Sequence, residues 1–225
     1  MTEPEHERAY LEIAHYPVGI NGDWPQADLL AAAQKSVCRN TGWPIGVVLT
    51  NPEFSPKPMS DGIRAVIRST IFRNSFDFWS LDRRGYFYLL RELEEDSDTR
   101  RKAGASLYFD TRIWRIAEGL LHCANLYRAL DMPAETEIRF QIVHRGLHGR
   151  MLLASDQMRA STMSGRISHE NESRWERTVP LGTIEPNLEA LVGEISGELF
   201  MLFEFWKPEP DVWKGVLQAF LSSRV

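Results

Sequence analysis

The sequence predicts an α+β fold, a two-layer sandwich in which a mostly antiparallel sheet is covered by amphipathic helices. Short runs alternate apolar and polar residues in two blocks, and segments with three- and four-residue apolar spacing accompany each block. Neighbouring strand-like runs are joined by short turns, which suit antiparallel pairing. The chain has 225 residues, 43% of them hydrophobic, which is enough for one core. We expect an N-terminal extension over residues 1–22 and a single α+β domain over residues 23–225.

The first half of the chain is assigned from helix stops, strand alternation and turn residues. A short helix can form at residues 10–14, within the extension. Pro17 would end this helix. Ile63, Ala65 and Ile67 alternate with more polar neighbours, which predicts a strand. The predicted elements are, in order, a helix over 25–40, strands over 43–50 and 63–69 with a loop between them, an aromatic hairpin over 76–93 that turns at Gly85, and a charged loop over 94–106.

The second half begins with the strongest helix of the chain. Asp110 is a good N-cap, an apolar stripe follows at helical spacing, and Met132 and Pro133 end it. The remaining predicted elements are a strand pair over 136–144 and 150–155, a polar loop over 156–172, a strand over 173–181, a long amphipathic helix over 184–206 and a last helix from residue 211.

Charge, cysteine content and hydropathy exclude several classes of protein. The net charge of −5 and the pI of about 5.7 count against extensive binding to a phosphate backbone. Cys38 and Cys123 are the two cysteines, too few for a disulfide framework or a zinc module, and Cys123 suits a core position. There is no apolar signal region and no apolar run of about 20 residues, so we expect a cytoplasmic protein without membrane contact.

The stretch "HRGLHGR" (residues 144–150) is the densest basic cluster in the chain. A site for an anion or a metal would use His144, Arg145, His148 and Arg150. Two glycines between two predicted strands instead favour a tight turn with exposed basic residues, and a patch for phosphate or acidic groups remains the alternative. Charge is also segregated: residues 139–177 hold seven Arg, three His and four acidic residues, whereas residues 185–211 hold seven acidic residues and one Lys. Such asymmetry can steer a partner.

The segment "RELEEDSD" offers many carboxylates after a predicted strand. A metal-dependent nuclease needs carboxylates that converge on one or two metal ions, and the candidates are Glu92, Glu94, Glu95, Asp96, Asp98 and Asp110. A hydrophilic loop is the commoner meaning of such a run. The chain has none of the glycine, nucleophile or histidine motifs of common enzyme classes. Aromatic residues of the hairpin, Trp79 among them, could stack bases if they were exposed.

Five phrases together resemble, in the same order, the C-terminal region of bacterial Schlafen/AlbA-like domain proteins. They are "TGWPIGVVL", "FDFWSLDRRGYFYLLRELEED", "FDTRIWRIAEGLLHCANLYRAL", "IRFQIVHRGLHGRMLL" and "LFMLFEFW". In that family a preceding AlbA-like domain carries the proposed nucleic-acid or nuclease function, and we expect this chain to act without it. The resemblance implies a regulatory, sensor or assembly module without assigned catalytic residues, with Arg150 as an exposed contact.

The sequence therefore predicts a non-catalytic regulatory module that binds a partner or ligand, acts with a separate effector or DNA-binding protein, and uses no cofactor. Its predicted contacts are Arg145, His148, Arg150 and Trp79. The expected partner is another protein or a second copy of the chain; nucleic acid is possible but is not supported by the net charge. The alternatives are a metal-dependent nuclease-like enzyme, acting through Glu92, Glu95 and Asp110, and a non-catalytic nucleic-acid-binding protein that uses residues 139–177.

Overall fold

The computed structural model describes residues 8–69, 75–97, 103–155, 166–205 and 210–223. Within these ranges the α+β prediction is confirmed: α-helices cover one face of a seven-stranded antiparallel sheet, and a small parallel sheet of two strands lies beside it. The strands are β1 (Tyr10–Pro17), β2 (Lys57–Met59), β3 (Gly62–Ser69), β4 (Ser75–Asp82), β5 (Phe87–Glu92), β6 (Ser106–Tyr108), β7 (Glu137–Arg145), β8 (Met151–Leu153) and β9 (Glu172–Pro180). The helices are α1 (Gln26–Ser36), α2 (Phe109–Ala129), α3 (Leu188–Met201) and α4 (Pro210–Ser222).

The large sheet has the order β2-β3-β4-β5-β1-β7-β9. All its neighbouring pairs are antiparallel. A three-residue strand and a nine-residue strand therefore form its two edges. No helix of the described ranges combines the length and the apolarity that a bilayer crossing requires.

The prediction of a short helix at residues 10–14 is wrong, because these residues belong to β1. This strand pairs with β5 on one side and β7 on the other, so residues 10–17 are the middle of the sheet and not part of an extension. Leu11, Ile13 and His15 are fully buried on one face of the strand. The alternation of buried and more exposed residues is not evident in the sequence, because the third buried residue, His15, is polar.

The strand predicted over residues 43–50 is also absent. Backbone carbonyls of this segment accept hydrogen bonds from side chains of other elements. They are therefore not paired with a neighbouring strand. Arg91 donates to the carbonyls of Trp43 and Pro44 at 3.2 and 2.8 Å, and the Trp79 indole donates to Val47 at 2.9 Å. The apolar composition of the segment reflects burial in an irregular conformation.

The prediction of a strand pair over 136–144 and 150–155 is wrong in its pairing. Both segments are extended, but β7 lies between β1 and β9, and β8 pairs in parallel with β6. The hairpin at Gly85, the strand after residue 62 and the helices α1, α2 and α4 are confirmed. The helix predicted over 184–206 is shorter and is α3.

Side-chain alternation gives the large sheet a covered face and an open face. On the covered face α2 lies directly on β1, since a Cβ at Gly119 would come 2.7 Å from Ile13 Cδ1. On the same side α3 contacts β9 through Glu194, which accepts a hydrogen bond from the Trp175 indole at 3.1 Å. The open face carries the other half of each strand, such as Phe78 of β4 and Tyr88 of β5, which remain partly accessible.

Candidate functional site

The stretch "HRGLHGR" joins β7 to β8, and its basic side chains diverge. His144 and Arg150 are each 1% exposed, whereas Arg145 and His148 lie on the surface. Gly146 and Gly149 have φ angles of 75° and 74°, so the turn geometry predicted from the glycines is confirmed. Because the four basic residues point into different environments, they do not form one anion or metal site.

Arg150 is a structural residue, and its prediction as an exposed contact is wrong. Its guanidinium makes two parallel bonds of 2.7 Å to the Asp96 carboxylate. It also donates to the carbonyls of Gly146 at 2.6 Å and Ser106 at 2.9 Å. Burial alone would raise the pKa of Asp96, but the hydrogen bonds from Arg150 outweigh this effect and the pKa is lowered. The side chain thereby fastens the turn to β6 and to the segment after β5.

The other three predicted contacts lie in different places. Trp79 is fully buried on the covered face, so its prediction as a surface contact is wrong. Arg145 is exposed and pairs with Glu12 and Glu172 across the open face. His148 is exposed, and its Nδ1 lies 3.0 Å from the carbonyl of His169.

A matched pair of substitutions tests the packing of this turn. Alanine at either glycine adopts a positive φ, which costs about 1–2 kcal/mol. A Cβ at Gly146 would lie 2.8 Å from Ala9 Cα, whereas a Cβ at Gly149 would meet no atom of the described residues within 4 Å. We expect Gly146→Ala to lower the free energy of unfolding by at least about 1 kcal/mol more than Gly149→Ala, because backbone must shift. Urea unfolding of both variants measures the difference, and equal losses would contradict it.

Three of the carboxylates considered for metal binding, Glu92, Glu95 and Asp110, are bonded to different partners. Glu95 accepts a hydrogen bond from the Tyr108 amide at 2.7 Å. Asp110 accepts one from the Ser155 amide at 3.1 Å, and Glu92 pairs with Arg8 at 3.3 Å. In the part of the chain that the structure describes, no three histidine, cysteine, aspartate or glutamate residues are grouped so that they could hold a metal. Asp98 lies outside the described residues.

A larger set of charges is buried between the covered face and α2, and we name it the ionic cluster. Arg91 pairs with Asp77 at 2.6 Å, and Arg115 pairs with Glu94 and Glu118 at 2.6 Å each. Each contact in the cluster joins an arginine to a carboxylate. The members are Asp77, Arg91, Glu94, Glu95, Arg112, Arg115 and Glu118.

The ionic cluster also fixes the irregular segment that begins at Thr41. Arg115 donates to the Trp43 carbonyl at 2.8 Å and to Thr41 Oγ1 at 3.1 Å. The Trp43 indole donates to Asp77 at 2.8 Å. The cluster therefore anchors this segment against α2 and β4, which is an architectural role.

The pKa values of two neighbouring carboxylates in the ionic cluster are shifted in opposite directions. Burial disfavours the charged form of both, but the guanidinium groups of Arg115 and Arg112 lower the pKa of Glu94. For Glu95, burial and the charge of Glu94 outweigh Arg112, so its pKa is raised. Both carboxylates share Arg112 as a partner, which makes this guanidinium the hub of the pair.

Three histidines, His15, His122 and His144, are also buried. Burial lowers the pKa of His122 and of His144 to about 3. It also lowers the pKa of His15, whose Nδ1 lies 2.7 Å from the Tyr127 hydroxyl. All three are therefore neutral at physiological pH, with no described carboxylate bonded to their rings.

The open face carries an apolar patch that the sequence prediction did not single out. Cross-strand register places Val66 beside Phe78 and Phe78 beside Leu90. We define the apolar patch as Val66, Phe76, Phe78, Tyr88 and Leu90; Val66 is 44% exposed and none of the five belongs to the hydrophobic core cluster.

Polar groups surround the apolar patch on two sides. Arg64 and Arg68 are exposed on β3, and the Arg68 guanidinium lies 5.4 Å from the centre of the Phe76 ring. On the other side, Tyr88 donates to Glu12 at 3.0 Å. A shallow pocket of about 200 Å³ opens at the end of the patch between Phe78, Arg64 and Tyr86. Apolar side chains with a polar rim resemble the anatomy of protein interfaces.

Comparison with known proteins adds no assignment: no family model, no curated protein and no solved structure matches this chain. The arguments for function therefore rest on the geometry of the chain itself. The alternation of apolar residues at positions 76, 78, 88 and 90 with inward residues was the available signal for the patch. This alternation was hard to recognise because aromatic residues lie on both faces of the hairpin.

Proposed function

We propose that this chain is a non-catalytic binding module that recognises a protein partner through the apolar patch on the open face of its sheet. The observation that carries the proposal is the alignment of Val66, Phe78 and Leu90 on three adjacent strands, outside the core and accessible to solvent. Contiguous apolar side chains with a polar rim are typical of interaction sites.

The pairing of the charged residues supports a non-catalytic role. Perturbed pKa values often mark catalytic sites, but ion-pair networks perturb them as well. Here the carboxylates of Glu94 and Glu95, whose pKa values are shifted, are bonded to the buried arginines Arg112 and Arg115. The metal-dependent nuclease alternative is not supported by the positions of Glu92, Glu95 and Asp110, and we do not propose it. The resemblance to the C-terminal region of Schlafen/AlbA-like proteins agrees with a regulatory module that works with a separate effector.

The chemistry of the rim indicates the kind of partner. Arg64 and Arg68 project beside the patch, and Arg145 lies further along the open face on β7. A partner with an apolar anchor and acidic residues around it would complement this surface, because buried anchors supply affinity and rim charges supply orientation.

A charge placed in the patch tests the proposal. Val66→Glu buries a carboxylate in the interface and is expected to weaken binding of the partner at least about 100-fold. Met201→Glu on α3 is the control, since Met201 is 46% exposed on the helical side and Val66 is 44% exposed. Quantitative affinity capture from the native source should lose the same protein with Val66→Glu and retain it with Met201→Glu. Retention by both variants at equal melting temperature would refute the patch as the contact surface.

A second candidate function is binding of single-stranded nucleic acid, favoured by the stacking of Arg68 on Phe76 at 5.4 Å on an exposed sheet face. Aromatic side chains on sheets stack bases, and arginine adds attraction to phosphate. The net charge of −5 counts against it. Fluorescence anisotropy with a labelled single-stranded oligonucleotide distinguishes the two, because nucleic-acid binding weakens steeply with salt.

A further inference from the structure

The two edges of the large sheet differ in how well they are protected. The edge at β2 has three residues, including Lys57 and Pro58, and both short length and proline prevent further strand pairing. The edge at β9 has nine residues with a proline only at its last position. On its outer side, the backbone groups of residues 172–179 have no further partner among the described backbone groups, and the Pro180 carbonyl accepts a hydrogen bond from the Thr183 hydroxyl at 2.8 Å. A long edge of this kind can accept another strand.

The outward charges of β9 are arranged so that the strand complements itself. Glu172, Arg174 and Glu176 alternate in sign on the open face of the sheet. Two copies related by a two-fold axis perpendicular to the sheet keep their faces aligned and run antiparallel. With the axis at residue 175, Arg174 of each copy lies opposite Glu176 of the other, so that two opposite-charge pairs form.

We infer that the β9 edge binds a second copy of this chain, with the two β9 strands paired antiparallel about an axis at Trp175. In this register Ser173 lies opposite Arg177, and the two Trp175 residues meet on the covered face. Registers with the axis at residue 174, 176 or 177 place like charges opposite each other and are disfavoured. An axis at residue 173 would also pair Glu172 with Arg174, but it aligns only residues 172–174 of the two strands, whereas the axis at residue 175 aligns residues 172–178. The pairing would extend each seven-stranded sheet into one continuous sheet whose open faces lie on the same side.

The side chains that set this register, Arg174 and Glu176, are accessible to a second copy. The side chain of Arg174 is 45% exposed and that of Glu176 is 35% exposed. Each already has a partner within its own chain, Glu172 for Arg174 and Arg139 for Glu176. Such exposed pairs are weak, so the groups can accept a second partner across the interface.

Charge exchange on the full chain tests the inference by sedimentation velocity, at concentrations up to on the order of 100 µM. The wild-type chain should form a dimer. Arg174→Glu and Glu176→Arg should each weaken the dimer roughly 10- to 100-fold, because each places like charges opposite twice. An equimolar mixture of the two variants should restore the dimer, since Glu at position 174 of one chain then faces Arg at position 176 of the other. The double variant R174E/E176R should also dimerise.

Two results would overturn the inference. A wild-type chain that stays monomeric over this range has a β9 edge that does not pair with itself. A dimer that persists in both single variants uses another surface. Arg128→Glu is the control for net charge, because Arg128 lies at the end of α2 with its side chain 42% exposed, and it should leave the dimer intact. Circular dichroism melting of each variant confirms that loss of the dimer does not reflect unfolding.

Discussion

Arg112→Met is expected to lower the free energy of unfolding by about 3–5 kcal/mol. The side chain of Arg112 is fully buried and contacts both Glu94 and Glu95. Its removal leaves two carboxylates in the core without their shared counter-charge, and uncompensated buried charge is costly. Two nitrogens of Arg112, Nε and Nη1, have no hydrogen-bond partner among the described residues, so relief of their burial offsets part of the loss.

Arg128→Met is the matched control, since it makes the same substitution on the same helix. Arg128 has a 42% exposed side chain and pairs with the exposed Glu185, so we expect a change within about 0.5 kcal/mol. Urea unfolding followed by tryptophan fluorescence measures both variants. Equal losses would show that the ionic cluster does not support the fold. Adding Glu95→Gln to Arg112→Met should recover part of the stability, because it removes one of the two orphaned charges.

Acidification from pH 7 to pH 5 is expected to destabilise the fold steeply. The pKa of His122 and of His144 is lowered to about 3, and that of His15 is lowered from 6.5. The unfolded chain therefore binds protons below about pH 6.5 that the folded chain does not bind. The stability from these three groups is complete above that pH and is lost as the pH falls toward 3. Each group contributes a slope of up to about 1.4 kcal/mol per pH unit.

The midpoint of urea unfolding at pH 7.5, 6.5 and 5.5 measures this dependence. The lowered pKa values of Glu94 and Asp96 take effect only at more acidic pH. The raised pKa of Glu95 acts against the histidines, because the folded chain then binds a proton more readily than the unfolded chain. His144→Gln should reduce the slope, whereas His148→Gln, at an exposed position, should leave it unchanged. A flat profile between pH 7.5 and 5.5 would contradict neutral burial of the histidines.

Sequence periodicity predicted the elements whose buried residues are apolar, and it failed where buried residues are polar. The apolar stripe of α2 was sufficient to place the helix. On the same helix Arg112, Arg115, Glu118 and His122 recur at three- and four-residue spacing, and all four are buried. Pattern rules assign such residues to solvent, yet this polar stripe was the signal for the ionic cluster.

The roles of the residues in "HRGLHGR" show the same division between local and long-range information. The turn followed from Gly146 and Gly149, since positive φ is a local property. The burial of Arg150 depends on Asp96, which lies 54 positions away in the sequence. No local sequence pattern predicts this burial. Likewise, the apolar patch depends on the register of β3, β4 and β5, which the sequence of one strand cannot specify.

The central claim is that the charged residues beneath the sheet are partners for one another and for the backbone, and leave recognition to the open face. The melting temperature in millimolar magnesium or manganese, compared with monovalent salt of equal ionic strength, tests it most directly, because any ligand of the folded state raises that temperature. We expect the same melting temperature in both solutions. A rise of several degrees with the divalent ion, abolished by Glu95→Gln or Asp110→Asn, would contradict the account.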